Sequence, residues 1–356
     1  MERNKTQQIE KQPQQLNAHC KLILDKLGKE KAAFEKPISE FFHKDLLNYI
    51  NKLQTISASE KDNQALFDTL TDEIVAKGHS LEHRINGWAI MKNVKSHFRT
   101  LVGPWIYQGL IAKRAFEKPK GYPGDYQLLE IIYDNSPLTP KSNKIGYYSD
   151  VYFLKDELAL GVRARKDQMS NFLIPYLQQA NNSKIINFAS GSAREIREIL
   201  AEIPLTSKAN MTLVDFDEDA LAFSKNQLTK YNNIDFNFMK KDIISLSIKK
   251  DKISSLLDQD LVYSIGLIDY LPDRILKHFI QYCYSLLSPK GQIILSHKDQ
   301  TKYTPLVQDW FCDWRFYERT KTSVLRIIED AGIAKKSIKV LPLSRKSIYS
   351  IIINKE

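Results

Sequence analysis

Two carboxylates stand at the ends of apolar runs that are typical of buried strands. Asp215 ends the run 211–215, and Asp242 follows the run 234–239. Successive strands of a parallel sheet end at the same edge, where a carboxylate after the second strand accepts hydrogen bonds from both ribose hydroxyls. We expect the carboxylate after the third strand to accept from the amino group of an adenine. This pair of acids therefore predicts a site for an adenosine-containing ligand.

A turn of small residues precedes both acids. The stretch KIINFASGSAREIREIL is typical of a strand, a turn and a helix, and Ser192 and Glu195 have the spacing of a capping box at the helix start. A dinucleotide fingerprint has three glycines, whereas this turn has Gly191 alone, with Ala189 and Ala193 in the other two places. The turn therefore disfavours a pyrophosphate, which needs the closest backbone approach. It suits a phosphate-free ligand such as S-adenosylmethionine.

Further residues at the strand ends complete the predicted ligand site. Phe216 has an aromatic face for the adenine, and Ile243 is expected to pack on the same ring. The segment SIGLIDY after the fourth strand offers backbone carbonyls to a ligand ammonium. Plainer alternatives stay open, since a single aspartate after a strand is usually a helix cap and a glycine often serves a turn. The candidates for cofactor binding are Asn187, Ala189, Gly191, Asp215, Phe216, Asp242, Ile243, Ser264 and Gly266.

The elements that position these residues alternate between strand and helix. Such alternation predicts an α/β fold with a mostly parallel, doubly wound sheet of the Rossmann-like kind. The last two apolar runs are separated by a short connection over residues 342–346, which favours an antiparallel C-terminal hairpin. The predicted strands are residues 184–189, 211–215, 234–239, 260–265, 292–296, 337–341 and 347–353.

The sequence before the first strand predicts a separate helical region. Residues 1–19 are polar and are expected to be a disordered or frayed tail, and residues 20–150 are expected to form a helical N-terminal or cap domain. Within it, residues 116–133 (FEKPKGYPGDYQLLEIIY) form a stiff loop with two glycines and two prolines, expected to act as a lid over the strand ends. An ordinary interdomain turn is the alternative. Residues 151–356 are expected to form the cofactor-binding domain.

Composition bounds the function classes. The apolar fraction of 43% and the charged fraction of 26% are ordinary for a globular chain, and three cysteines show no metal spacing. No metal site is therefore expected. The first residues lack an apolar signal region, and no apolar run is long enough to span a bilayer, so we expect a cytoplasmic protein. The net charge of +10 comes from scattered lysines, which favours solvated side chains over a nucleic-acid surface.

Three motifs resemble one family of enzymes. They are KPKGYPGDY, then SIGLIDYLPD, and then DWFCDWRFYERT, which together with SPKG and VRARKD resemble the class I methyltransferase family associated with biosynthesis of 3-hydroxypalmitic acid methyl ester, an extracellular factor. The resemblance covers roughly residues 111–353. The matching residues are Lys118, Gly121, Tyr122, Gly124, Asp125, Tyr126, Gly266, Asp269, Tyr270, Leu271, Pro272, Asp273, Asp313, Trp314, Tyr317, Arg319 and Thr320.

The resemblance implies S-adenosylmethionine as the cofactor and a small-molecule acceptor. It departs from the family at Ala189, Ser190 and Ala193, where a cysteine and more glycine are usual. The methylated group that the resemblance favours is the carboxylate of a hydroxy fatty acid or a similar apolar acid. Such a carboxylate is already a nucleophile at neutral pH, whereas a hydroxyl or an amine needs a base, for which His297 is the best-placed candidate.

Candidate residues for the reaction divide into two sets. We expect arginines to hold an anionic acceptor and aromatic residues to line an apolar channel, although solvated arginines and a histidine bonded to the backbone are the alternatives. The catalytic candidates are Tyr122, Tyr270, His297 and Arg163. The substrate-binding candidates are Tyr147, Arg165, Trp314, Tyr317 and Arg319.

Rival functions stay open at this point. An O- or N-methyltransferase of another small metabolite has the same cofactor residues, and so does a cofactor-binding protein without turnover. A nucleic-acid methyltransferase is disfavoured, because residues 264–267 read SIGL in place of an asparagine or aspartate followed by two prolines and an aromatic residue. A homodimer through the N-terminal helices is a further hypothesis.

Overall fold

The chain divides into two compact units, each of which is described by itself. The helical unit comprises Met1–Pro123, Asn135–Lys155 and Pro305–Arg315, and the α/β unit comprises Gly124–Asp134, Asp156–Thr304 and Phe316–Glu356. The computed structural model describes residues 2–28, 31–178, 182–203, 208–249, 253–345 and 347–356. Gln179, expected to end a helix over 150–179, and Lys346, in the predicted hairpin connection, lie outside the described residues.

The α/β unit contains a seven-stranded sheet of order β3-β2-β1-β4-β5-β7-β6. The first five strands run parallel, and β7 pairs antiparallel with both β5 and β6. The strands are β1 Ser183–Phe188, β2 Ala209–Asp215, β3 Ile234–Lys240, β4 Gln259–Ser264, β5 Leu287–Lys298, β6 Ile338–Pro342 and β7 Ile348–Asn354. The predicted Rossmann-like sheet with an antiparallel C-terminal hairpin is therefore confirmed.

Both faces of the sheet are buried, because successive side chains of each strand enter different apolar clusters. Ile186 and Phe188 of β1 pack in one cluster with Phe279, whereas Ile185 packs in the other with Ile196. The helices of this unit are α7 Tyr126–Asp134, α9 Glu157–Gln178, α10 Arg194–Glu202, α11 Glu218–Leu228, α12 Ile243–Lys249, α13 Asp273–Leu286 and α15 Lys321–Asp330.

The sheet extends from β1 in two directions, with β2 and β3 added on one side and β4 and β5 on the other. Strand β1 pairs with β2 on one side and with β4 on the other, so the connections from these two strands leave on opposite sides. A crevice outside the carboxyl ends of two such strands is the usual ligand site of an open α/β sheet. We therefore expect the ligand site among the residues that directly follow β1, β2 and β4.

The helical unit packs aromatic side chains around Trp310, which is fully buried. The Phe98 ring meets the Trp310 ring edge-to-face with centroids 5.0 Å apart, and the indole N–H donates to Glu82. Its helices are α1 Glu2–Asp25, α2 Lys31–Glu40, α3 Leu47–Ala58, α4 Gln64–Ile85, α5 Trp88–Ile106, α6 Leu110–Glu117, α8 Lys144–Lys155 and α14 Leu306–Cys312, with a π-helical segment Phe41–Leu46 between α2 and α3.

Several predicted boundaries differ from the structure. The segment expected as a frayed tail is helical from Glu2, and Leu16 within it is buried at 1% exposure. The apolar spacing predicts one helix over residues 150–179, whereas the structure has two, α8 and α9. The sequence also predicts a break near Gly103 and Pro104, whereas α5 continues through Pro104 and ends at Ile106. Within the part of the chain that the structure describes, no helix has the length and apolar character needed to cross a membrane.

Strand β5 begins five residues earlier than predicted. The register between β4 and β5 shifts between Gln259 and Leu261, which accommodates Lys290 in a left-handed conformation with φ of 68°. Gly291 follows at this irregularity, where a Cβ atom would lie 2.5 Å from the backbone oxygen of Gln259. The predicted turn SPKG therefore exists as a bulge inside a longer strand.

We predict that Gly291→Ala lowers the free energy of unfolding by about 1–3 kcal/mol, because the new methyl group must displace backbone atoms of β4. The matched control is Lys290→Gly, which fits the left-handed backbone and should change stability little. Urea unfolding followed by circular dichroism measures both variants. Equal midpoints for Gly291→Ala and the unsubstituted protein would contradict the packing described at this bulge.

Candidate functional site

The turn after β1 is held in an unusual backbone conformation. Ala189, Gly191 and Ala193 have φ values of 53°, 52° and 49°, all in the left-handed region. The predicted capping box is wrong, because Ala193 occupies the N-cap of α10 without a side-chain bond and the Ser192 hydroxyl donates to Glu130. Three left-handed residues in five make a sharp corner that presents backbone groups at the end of β1.

Asp215 lies beside this turn at the end of β2. Its Oδ2 accepts the N–H of Gly191 at 2.8 Å, and its Oδ1 accepts the N–H of Asp217 at 2.9 Å. Burial raises the pKa of Asp215, although both N–H donors oppose that shift. A carboxylate oxygen can accept more than one hydrogen bond, so both oxygens of Asp215 keep acceptor capacity for a ligand. Phe216, the next residue, is 53% exposed.

Helix α7 covers the turn within the same unit. A Cβ atom on Gly191 would lie 3.8 Å from the Cβ of Tyr126, the first residue of α7. Glu130 accepts from Ser192 at 2.6 Å, from Arg194 at 3.1 Å and from Arg197. The last residues of the predicted lid stretch are therefore packed on the turn and tied to α10 by ion pairs.

A buried carboxylate lies beneath the turn. Glu195, 3% exposed, accepts from the Asn187 amide at 3.0 Å and from the Tyr263 hydroxyl at 2.8 Å. Burial raises the pKa of Glu195, and its hydrogen bonds oppose the shift. The Asn187 side chain thus holds β1 to α10, which leaves the backbone of this residue, and not its amide, to face a ligand.

Three polar atoms, one in the turn after β1, one at the end of β4 and one on α9, are buried without a hydrogen-bond partner among the described residues. They are Ser190 Oγ, Ser264 Oγ and Arg165 Nε, and their residues are 8%, 0% and 6% exposed. A buried polar group without a partner costs about 1–3 kcal/mol and is rare, so a cluster of them marks a place where a ligand or water binds.

The side chains of Arg163 and Arg165 on α9 lie in different surroundings, because residues two apart on a helix point in different directions. A Cβ atom on Gly266 would lie 3.3 Å from a terminal nitrogen of Arg165, which also interacts with Tyr133. Arg163 donates to the carbonyl of Ile132 at 3.0 Å. Of these two predicted residues, the structure brings only Arg165 to the loop after β4.

Asp269, in the loop after β4, is a fully buried carboxylate with three close partners. Its Oδ2 accepts from Lys298 Nζ at 2.7 Å, and its Oδ1 lies 3.2 Å from both the Lys298 N–H and His297 Nδ1. Burial alone would raise the pKa of Asp269, but Lys298, His297 and Arg165 hold it well below its usual range. Burial lowers the pKa of Lys298 to about 8, although Asp269 opposes that shift.

His297 does not have the geometry of a general base. It is 1% exposed, its Nδ1 lies against the Lys298 carbonyl and Asp269, and its Nε2 lies 3.3 Å from Arg319. Burial lowers its pKa, so the ring is neutral with both nitrogens engaged. The catalytic role suggested for His297 is therefore not supported. The histidine does have an orienting carboxylate, which sequence proximity did not reveal.

Arg319 is likewise engaged within the protein. Its Nε donates to Asp273 at 2.8 Å, and its terminal nitrogens donate to the carbonyls of Ile268 and Leu271. The guanidinium therefore secures the loop after β4, and the expected role of Arg319 in binding a substrate anion stays a prediction.

The other predicted residues lie in several places. Asp242 is exposed and caps α12 through the N–H of Ile244, while Ile243 is buried in the apolar cluster of Val214 and so does not face a ligand as expected. Tyr270 packs on Phe316 with ring centroids 5.4 Å apart, and Tyr317 is 48% exposed. Tyr122, Tyr147 and Trp314 belong to the helical unit.

The sequence pattern singles out Tyr126 in the predicted lid, but it does not single out Lys298 or Glu130. The only signal for Lys298 was its place at the carboxyl end of a strand, shared with many solvated lysines. Among the described residues, no group of three or more histidine, cysteine or acidic side chains is arranged to hold a metal ion.

Comparison with known proteins supports the fold. No protein-family model matches the chain, and no curated protein matches its sequence. A structure described as a possible exported protein from Bordetella parapertussis has a TM-score of 0.52 and 14% identity, with 87% of this chain and 95% of that chain covered. Magnesium protoporphyrin IX methyltransferase from Synechocystis PCC 6803 with bound SAM has a TM-score of 0.41 and 13% identity, with 56% and 82% covered. Only the first of these two has a TM-score above 0.5, and at 14% identity its similarity concerns the fold alone.

We predict that Glu195→Gln makes the protein more stable at pH 8 than the unsubstituted chain. A raised pKa means that the folded state favours the protonated acid, so ionisation at high pH costs stability that a neutral amide does not lose. The advantage should shrink towards pH 4, where the carboxyl is protonated in both states. Thermal unfolding across this pH range measures the difference. Glu195→Ala is the comparison, and it should destabilise by about 1–3 kcal/mol because Asn187 and Tyr263 lose their acceptor.

Proposed function

We propose that this protein is a class I S-adenosylmethionine-dependent methyltransferase of a small molecule. The observation that carries the proposal is Asp215, a buried carboxylate at the end of β2 that is fixed by the N–H of Gly191 and keeps acceptor capacity on both oxygens. A carboxylate in this place suits the two hydroxyls of a ribose. It lies at the end of β2, next to β1, where the N–H of Ser190 donates to the carbonyl of Val214 at 3.2 Å.

Different residues of the site suit different parts of this cofactor. Asp215 would hold the ribose and Phe216 would cover the adenine, with Asp242 as a further acceptor at the exposed end of β3. The turn around Gly191 and the hydroxyls of Ser190 and Ser264 would hold the amino-acid part, which carries both donors and acceptors. Such a division satisfies the buried polar atoms that have no partner within the protein.

The charges around the turn disfavour a phosphate-bearing ligand. Both arginines at the start of α10 are matched by carboxylates, so neither is free to hold a phosphate. Arg194 pairs with Glu130, Asp134 and Glu198, and Arg197 pairs with Glu130. A nucleoside without phosphate is therefore a better fit than a dinucleotide.

When bound, the cofactor supplies an electrophilic methyl group on a sulfonium. The chain would contribute orientation and a dry environment, with α7 over the turn and the aromatic side chains of Tyr270 and Phe316 beside the loop after β4. No proton needs to move if the acceptor is a carboxylate. The residues of the chain would then only have to orient the acceptor oxygen towards the methyl group and exclude water.

We propose an apolar acid, such as a hydroxy fatty acid, as the acceptor. An uncharged hydroxyl or an ammonium must lose a proton, and His297 is unsuited to take it because both ring nitrogens are engaged. Arg165, buried beside Gly266 and unpartnered at Nε, suits an anion. A hydroxyl or amine of another metabolite is the alternative acceptor.

We further propose that the protein works in the cytoplasm. Its three cysteines, Cys20, Cys283 and Cys312, are all free thiols and all buried. Free thiols without any disulfide are typical of a reducing compartment.

We predict that Asp215→Ala weakens S-adenosylhomocysteine binding by about 1–3 kcal/mol, because hydrogen bonds to a charged group are lost. Asp235→Ala, at an exposed position of β3, is the matched control and should leave binding unchanged. Isothermal titration calorimetry measures both variants. Equal affinity of folded Asp215→Ala and the unsubstituted protein would remove the basis of the cofactor assignment.

We predict that incubation with methyl-labelled S-adenosylmethionine and a panel of hydroxy fatty acids, phenols and amines labels a base-labile methyl ester. Arg165→Met should reduce ester formation at least a hundredfold, because the acceptor anion loses its cation. Arg163→Met, two residues away, should reduce it less than about threefold. If the label appears in a base-stable ether or amine and no ester forms, the acceptor is not a carboxylate, although the protein still transfers methyl groups.

A further inference from the structure

The buried groups around the loop after β4 carry more positive than negative charge. Arg165, Lys298 and Arg319 are 6%, 6% and 4% exposed, whereas Asp269 is the one carboxylate of this cluster that is equally buried. Arg319 is matched by Asp273 at 2.7 Å. Among the described residues of this cluster, Arg165 and Lys298 therefore share Asp269 as their one equally buried carboxylate, while Glu318 is a further acidic residue that acts on Lys298.

Lys298 is held in one position by two different contacts. Its ammonium donates to Asp269 Oδ2 at 2.7 Å and lies 3.5 Å from the centre of the Phe316 ring, as a cation–π contact. Phe316 in turn packs on Tyr270. A lysine fixed this way is a preorganised donor, since its long side chain has already lost its rotamer freedom.

We propose that Lys298 and Arg165 together form the receptor for the anionic group of the acceptor, with Asp269 as the positioning residue that holds Lys298. This inference rests on the proposed methyltransferase function and names the residues that select its substrate. The sequence interpretation assigned anion binding to arginines and did not include Lys298.

Three observations support an anion at this place. A buried charge is costly unless it is paired, and Asp269 is the one carboxylate in the described part of this cluster that is buried as deeply as the two cations. Arg165 Nε is buried without a hydrogen-bond partner among the described residues, and its guanidinium reaches the loop at Gly266. The neighbouring Phe316 and Tyr270 rings give the site an apolar flank, which suits an acid with a hydrocarbon body.

Such a receptor would favour both selection of the acid and release of the product. The two cations would neutralise the carboxylate and donate hydrogen bonds to one of its oxygens. A lone pair of the other oxygen would then stay available to attack the methyl carbon. The ester that forms has no charge, so its interaction with Lys298 and Arg165 is much weaker. The same pair of residues therefore distinguishes the substrate from the product.

The surroundings of Lys298 also predict a pH dependence. Burial lowers the pKa of Lys298 to about 8, while Asp269 after β4 and Glu318 oppose the shift and Arg165 on α9 favours it. The neighbouring His297 is neutral, and the Asp269 carboxyl is ionised throughout the neutral range. The ammonium is present below pH 8 and lost above it, so anion binding should weaken as the pH rises through 8.

Calorimetry with matched probes tests the proposal on the full chain saturated with S-adenosylhomocysteine. The probes are butanoate, decanoate and benzoate, each compared with its uncharged amide, which has the same shape. We expect at least one acid to bind tenfold or more tightly than its amide at pH 7, with the ratio falling at least fivefold by pH 9.5. If S-adenosylhomocysteine binds but no acid exceeds its amide, the receptor is wrong and the cofactor assignment stands.

Variants separate binding from a purely structural role. Lys298→Met should remove the preference for the acid and its pH dependence, and Lys298→Arg should restore the preference without the fall near pH 8. Because Lys298→Met leaves Asp269 buried and unpaired, the double variant Lys298→Met with Asp269→Asn replaces it if the single variant does not fold. Lys302→Met, an exposed lysine four residues on, is the control. A folded double variant that keeps the full preference for the acid would overturn the proposal.

Discussion

The buried carboxylate of Asp269 is the constraint around which the carboxyl edge of the sheet is arranged. The ionised carboxylate is buried away from water, so it must be stabilised by the ion pair with Lys298 and by hydrogen bonds from the end of β5. The Asp269 backbone carbonyl also accepts the N–H of Tyr317, and His297 links the cluster to Arg319. Strand β5, the loop after β4 and the segment before α15 are therefore fixed by one charge.

A second polar centre fixes the other half of the proposed site. Asp215 accepts from the turn after β1, and Glu130 of α7 accepts from both the turn and α10. Backbone donors and carboxylates thus preorganise the corner before any ligand arrives, which reduces the entropy that binding must offset. The two centres lie on either side of the reversal between β1 and β4, so one suits the nucleoside and the other suits an acceptor.

Much of the sheet was predictable because buried parallel strands are continuous apolar runs, whose ends fell within a few residues of those observed. Only β5 began clearly earlier, since a bulge at Lys290 allows a strand to continue through residues typical of a turn. The interactions within the site were less predictable. The partner of Lys298 lies 29 residues away in sequence, and Glu195 meets Tyr263 across 68 residues, so no local spacing reveals either pair. The capping box failed because Ser192 bonds to a distant helix.

A crystal structure of the full chain with S-adenosylhomocysteine would show directly whether Asp215 binds the cofactor. We expect both ribose hydroxyls within hydrogen-bond distance of Asp215, the adenine against Phe216, and the sulfur pointing towards the loop after β4. A ligand bound elsewhere, or bound at the turn with its ribose away from Asp215, would contradict the account.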